Sequence, residues 1–216
     1  MKKLALLIPP LILGACGQTG VSIGQSFGMT AALTGTEVGA DVVNVYSKNS
    51  DGTRGAYLGS EIKAYQPAQG NLGIQVQAAS LGLTITAAKV LYTDSSGAPF
   101  AGTASVFNTS VNLKVPEGYA CPAGAADCTF TEKTAVPVAF EKTGTNLYLL
   151  SEQAAIAAAN SCIGGSSAVS AGPGGCAEVR MNVTLTGRDS LGGTRTVNIP
   201  QAQVRVFVAT ITEEVR

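Results

Sequence analysis

Val179-Arg180-Met181-Asn182-Val183-Thr184-Leu185-Thr186 alternates apolar and polar side chains without a break, and Gln203-Val204-Arg205-Val206-Phe207-Val208 sets Val204, Val206 and Val208 against Gln203 and Arg205 in the same way. A period of two sends successive side chains to opposite faces of a strand, so each run buries one face and wets the other. Between the two lies Gly187-Arg188-Asp189-Ser190-Leu191-Gly192-Gly193, whose Asp and Gly supply turn geometry. The three pieces together predict an antiparallel hairpin, with no helical crossover needed between its strands.

Working outward, the same grammar recurs. Strand-favouring runs at Asp41–Tyr46, Ala56–Tyr65, Leu72–Ala79, Leu83–Tyr92, Ser105–Val115, Thr129–Phe140 and Asn146–Leu150 precede the runs at Glu178–Thr186, Arg195–Ile199 and Gln203–Ile211. Turn chemistry separates several of them, as in Asn49-Ser50-Asp51-Gly52 and Asp94-Ser95-Ser96-Gly97. About ten short strands at this spacing predict an all-β, antiparallel β-sandwich. One helix is predicted at 151–160: Ser151 can cap it, Glu152 suits its positive end and a run of alanines propagates it.

Composition narrows the function. There is no histidine and no tryptophan in 216 residues. Without His the chain lacks the usual general base, the usual activator of a nucleophile and the commonest transition-metal ligand. Charged residues make up 13% of the chain, so Thr, Ser, Asn, Gln and Gly must supply most of its polar surface. No general basic excess argues for nucleic acid as a partner.

The chain opens with Lys2 and Lys3, an apolar run over Leu4–Leu13 and the small residues Gly14 and Ala15. That is the layout of an export signal, and a run of about ten residues containing Pro9 and Pro10 is half the roughly twenty that a spanning helix needs. Leu13-Gly14-Ala15-Cys16 resembles the lipobox of bacterial lipoproteins. The resemblance implies cleavage before Cys16, lipidation of Cys16 and anchorage to a membrane of the cell envelope; Gly17 in place of Asp favours the outer membrane or cell surface over inner-membrane retention. Cleavage removes Lys2 and Lys3 and leaves 12 basic against 14 acidic side chains. Residues 17–37, rich in Gly, Ser and Thr, read as a flexible tether, giving the expected organisation: signal 1–15, lipidated N-terminus and tether 16–37, and one β-sandwich domain over 38–216.

Four further cysteines, Cys121, Cys128, Cys162 and Cys176, form an even set, and in an exported chain they should be paired. Three connectivities are open; nearest-neighbour pairing closes the shortest loops. A four-thiolate zinc site is disfavoured, because the spacings lack the tight knuckles such sites use. Asp94 and Asp189 stand singly in turns and do not gather the six to eight oxygens that calcium requires. No metal or other cofactor is therefore expected.

The stretch from Glu178 onward resembles the closing strands of bacterial immunoglobulin-like and fibronectin type III-like domains, which implies an immunoglobulin-like topology. The absence of Trp and the placing of the cysteines in loops depart from the antibody-type core. Other patterns tempt more than they deliver. Gly24-Gln25-Ser26-Phe27-Gly28 has the form of a nucleophile elbow without its strand, helix and histidine. Ser60-Glu61-Ile62-Lys63, Ser110-Val111-Asn112 and Lys142-Thr143-Gly144 occur in the order used by penicillin-interacting acyl-serine enzymes, whose S-x-x-K opens a buried helix; here it lies in a strand-like run that Pro67 and Gly70 follow. No catalytic residue is expected. The reading is a lipid-anchored, non-enzymatic envelope protein with a structural or adhesive role toward a protein partner. A carbohydrate- or small-ligand-binding module, using the loop between Cys162 and Cys176 and nearby tyrosines, is the alternative; the acyl-serine enzyme is a remote one.

Overall fold

The computed structural model describes residues 27–123, 125–143, 147–172 and 174–216. The stretch read as an export signal and lipobox, with Cys16, lies outside these residues. In chain order the strands are β1 (Met29–Lys48), β2 (Arg54–Val76), β3 (Leu83–Thr93), β4 (Val106–Val115), β5 (Tyr119–Ala120), β6 (Thr134–Ala135), β7 (Val138–Thr143), β8 (Val179–Asp189) and β9 (Thr194–Val215), with helix α1 (Glu152–Asn160) between β7 and β8.

The hairpin read from the sequence is β8–β9, antiparallel from Val179 opposite Val204 to Arg188 opposite Thr194. Its turn is organised by Asp189, whose carboxylate accepts from the backbone N–H groups of Leu191 (3.0 Å) and Gly193 (2.8 Å) and pairs with Arg195 (2.8 Å). Val179, Met181, Val183 and Leu185 are buried, as the alternation requires.

Outward from the hairpin, the strands form one seven-stranded sheet in the order β4-β3-β8-β9-β1-β2-β7, and β5 and β6 form a separate short pair. All neighbours are antiparallel except β1 and β9, which run parallel from Thr36 opposite Val204 to Tyr46 opposite Val215. The class is thus all-β with one short helix, and the large sheet curls into a half-barrel. The seven strands do not part into two facing sheets: β1 pairs with β2 on one side and β9 on the other, and long twisted strands curl as they accumulate. The concave face is closed by the segment that crosses from β7 to β8.

Several expected boundaries change: the runs at 56–65 and 72–79 merge into β2, those at 195–199 and 203–211 merge into β9, and 129–140 holds a 3-10 turn, β6 and the start of β7. Residues 29–37, read as tether, belong to β1; Leu33 is buried opposite Leu72, and the folded part starts earlier than residue 38. Of the glycines that suggested a linker, Gly35 serves as a bend in that strand. Gly35 (φ +72°) and Gly70 (φ +78°) face each other, and a Cβ on Gly70 would come within 2.5 Å of Thr36 Oγ1. Residues 147–150, expected as strand, are irregular, with Leu147, Leu149 and Leu150 buried in the crossover and Tyr148 exposed.

Helix α1 falls where the sequence placed it, with Ser151 Oγ accepting from Ala154 N (3.2 Å). Its buried face is Ala154, Ala155, Ala158 and Ala159, side chains small enough for the helix axis to lie close against the strands.

Candidate functional site

Three side chains of the concave face hold the crossover down by imitating backbone. Gln69 of β2 accepts from the N–H groups of Leu149 and Leu150 (both 2.9 Å) and donates to Leu150 O (2.9 Å). The Tyr92 hydroxyl of β3 donates to Leu149 O (2.7 Å) and accepts from Ser151 N (2.8 Å). Asn44 of β1 donates to Val169 O and accepts from Val169 N (both 3.1 Å). Burial raises the Tyr92 phenol above its ordinary value, and the Ser151 contacts only partly oppose this.

Beyond α1 the chain makes a strap, residues 163–175, closed at its base by the Cys162–Cys176 disulfide. Val169 holds it to β1, and Gly172 exchanges backbone bonds with Val208 of β9 (3.1 and 2.8 Å). The other two cysteines, Cys121 and Cys128, are bonded to each other in the loop before β6. Nearest-neighbour connectivity is therefore the one observed.

Ser60, the tempting nucleophile, donates to Asn44 Oδ1 (2.5 Å) and shares a proton contact with the Tyr57 hydroxyl (2.7 Å). Lys63 is not its neighbour. It lies with Glu61 and Val43 on the other face of β2 and β1, at a hollow that also meets Thr212 and Arg216. Ser110 and Asn112 are on β4 and Lys142 on β7, at opposite edges of the seven-stranded sheet. A serine hydroxyl needs an amine in reach to activate it, and among the described residues the three motifs are not brought together to supply one. Of the remaining elbow-like motif, residues 24–26 lie outside the described part.

The tyrosines scatter. Tyr46 is buried, edge-on to Tyr57 (5.7 Å between centroids), with the Arg54 guanidinium 3.7 Å over its ring. Tyr65 donates to Glu152 (3.2 Å), Tyr119 packs on Phe130, and Tyr148 is 62% exposed beside the crossover. They form no common stacking platform among the described residues, and the strap is pinned over β1 and β9 rather than poised around a ring-lined pocket.

The remaining feature is a ribbon. Strand β7 covers only Asn71–Val76 of β2, and β8 covers β9 only as far as Val204. Among the described residues, 54–70 of β2 and 209–215 of β9 therefore flank β1 with no strand paired to their outer edges. Val43 and Val45 in the centre are buried on the face opposite Asn44, where Arg216 reaches Glu61 (2.8 Å) and Glu214 (2.8 Å); on the Asn44 side Arg54 reaches Glu213 (2.6 Å). The Arg216 guanidinium holds the Glu61 and Glu214 carboxyls below the ordinary carboxylate range, and these carboxylates hold Arg216 above its own.

Sequence reading missed Asn44 and Gln69, whose partners are far along the chain. A signal existed for Asn44: a lone amide inside Val42-Val43-Asn44-Val45-Tyr46, a run otherwise apolar enough to be buried on both faces. No protein-family model matches the sequence, and no curated protein matches it significantly.

Proposed function

We propose that this chain is a lipid-anchored, non-enzymatic protein of the bacterial cell envelope that works through protein contacts made by the edges of its three-stranded ribbon. The observation that carries the reading is the outer edge of β2 over residues 54–70, which has no strand partner among the described residues and carries Leu58, 61% exposed. A strand edge with free N–H and C=O groups adds another strand at little cost in shape, and Leu58 offers a side-chain anchor beside those backbone groups. The lipobox supports the anchorage, and the large share of Thr, Ser and Asn suits an exported β protein.

An immunoglobulin-like arrangement is our reading of the strand order. Counting outward from β1 within the one curled sheet, β2 and β7 follow on one side and β9, β8, β3 and β4 on the other, and the parallel pairing of β1 with β9 fits that scheme.

Two measurements on membranes of the producing cell test the function. Intact mass of the extracted protein should show an acylated N-terminal Cys16; an unmodified chain ends the anchorage argument. A photo-crosslinking residue placed at Leu58 should give a discrete adduct that the same residue at Thr103, on an exposed turn elsewhere, does not. Equal, diffuse labelling at both positions defeats the edge reading.

A further inference from the structure

The charges on the large sheet are divided. Residues 83–93 of β3, 106–115 of β4, 179–188 of β8 and 194–204 of β9 contain Lys89, Lys114, Arg180, Arg188 and Arg195, and not one Asp or Glu. Apart from Asp189, which is turned inward at the end of β8, the carboxylates of the sheet strands all lie on β1, β2, β7 and the last residues of β9.

The two halves also differ in how their charges are met. In the acidic half, Glu61 and Glu214 are paired with Arg216, Glu37 with Arg205, and Glu213 with Arg54. In the basic half, Arg180 pairs with Glu178 and Arg195 with Asp189, whereas Lys89, Lys114 and Arg188 are exposed and make no ion pair among the described residues.

The strand register places these three on one surface. Lys89 is flanked by Asn108 and Thr184, with Asn198 beyond; Thr84 is flanked by Lys114 and Arg188, with Thr194 beyond. The row between them is Ser110, Ala87, Thr186 and Thr196. From the Lys89 row to the Arg188 row is four residues of β8, about 13 Å. Small side chains leave two shallow hollows between β3 and β4, one with Lys89 at its rim and one with Lys114. The Glu117 carboxylate near the second hollow is taken up by Lys133.

We infer that this face binds an acidic polysaccharide. Unmet cations spaced along a surface of hydroxyls and amides match a chain that carries regularly spaced anionic groups among many hydroxyls. A second copy of this protein is a poorer match, because Glu37, Glu61, Glu213 and Glu214 of the six carboxylates in its acidic half are already paired with its own arginines and, among the described residues, only Asp41 and Glu141 are left without one. A bilayer is poorer too, because the central rows carry no apolar side chain larger than Ala87; Val106 with the half-buried Leu91 at one end and Leu191 at the other stand outside those rows. This inference is separate from the edge reading, since it concerns the broad face of other strands and its test does not depend on a protein partner.

The test is affinity electrophoresis and titration of the full mature chain with polygalacturonate, with dextran as the neutral polysaccharide, vesicles containing anionic phosphatidylglycerol, and duplex DNA. Polygalacturonate should bind and dextran should not, with affinity falling as salt rises. Replacing Lys89, Lys114 and Arg188 together by Gln should weaken binding about tenfold or more. Lys48→Gln with Lys63→Gln, in the other half, should leave it within about twofold. The inference is overturned if polygalacturonate binds no better than dextran, if the control pair weakens binding as much as the triple variant, or if vesicles or DNA bind as tightly. An unchanged melting temperature in the triple variant shows that loss of binding is not loss of fold.

Discussion

The side-chain amide of Asn44 meets the backbone of Val169 as one strand meets another, with Nδ2 donating to the carbonyl and Oδ1 accepting from the N–H, both at 3.1 Å. The strap that would otherwise cross β1 without ladder bonds is thereby held at one residue by a borrowed peptide group. Asn44→Ala should cost about 2–3 kcal/mol by leaving buried partners unmet. Urea unfolding measures that loss, and limited proteolysis should cut residues 164–172 faster in the variant while leaving the β8–β9 hairpin protected.

Tyr92 carries a second hold. Its hydroxyl both donates to Leu149 O and accepts from Ser151 N, so Tyr92→Phe should lose about 1–3 kcal/mol near neutrality. Because burial raises the phenol in the folded state, its contribution is complete below the ordinary tyrosine value and is lost as pH rises through the raised one. Alkaline unfolding should accordingly be less steep in the variant than in the parent; an identical slope contradicts the role.

The Asp189 carboxyl has the opposite sign. Burial pushes it upward, but the Arg195 guanidinium and the N–H groups of Gly193 and Leu191 together outweigh that and hold it below the ordinary carboxylate value. Its contribution is present above the unfolded value near 4 and fades as pH falls through the lowered one. Asp189→Ala should be less stable than the parent by about 2 kcal/mol at pH 7, and the gap should narrow as pH falls through the lowered value.

The disulfides should part in a fixed order under a dithiol. Cys162 is 4% exposed beneath the strap, whereas Cys121 and Cys128 are both partly accessible in a surface loop. Timed alkylation should label Cys121 and Cys128 first. Replacing Cys162 and Cys176 by Ser should cost about 3 kcal/mol in chain entropy and speed proteolysis of the strap, an effect absent when the other pair is replaced.

Gly70→Ala tests the bend in the β1–β2 pair. A methyl there would meet Thr36 Oγ1 at 2.5 Å and Thr34 O at 2.6 Å, in a backbone region that favours glycine. A loss of about 2 kcal/mol or more is expected, against less than about 1 kcal/mol for Ala at Gly164, which has open space and an ordinary φ.

What the sequence revealed depended on how local the physics was. Val179–Thr186 reports its own burial, Asp189 and Gly192 report their turn, and Ser151 reports the start of α1, because each signal lies within a few residues of its cause. The arrangement of strands lies elsewhere. That β9 would pair parallel with β1 rather than fold into a second sheet is decided by partners more than 160 positions apart, and no local pattern carries it. The N-terminal part of β1 was concealed by composition: Gly, Thr and Ala read as linker, although Met29, Ala31 and Leu33 already alternate against Thr30, Ala32 and Thr34. At the proposed binding face, each cation looks ordinary in sequence; only the register that sets β4, β3, β8 and β9 side by side reveals a surface without carboxylates.

The parallel pairing of β1 with β9 also sets the order in which the chain can fold. One edge of the first strand is filled by the last, so the sheet cannot close while residues 204–215 are missing, however long the rest has waited. Contacts between the two ends of a chain are slow to form, and until they do β1 keeps an apolar edge open. A ribosome that delivers the chain from its N-terminus would thus hold β1 without this neighbour until residues 204–215 have emerged, so those residues are the step that commits the sheet.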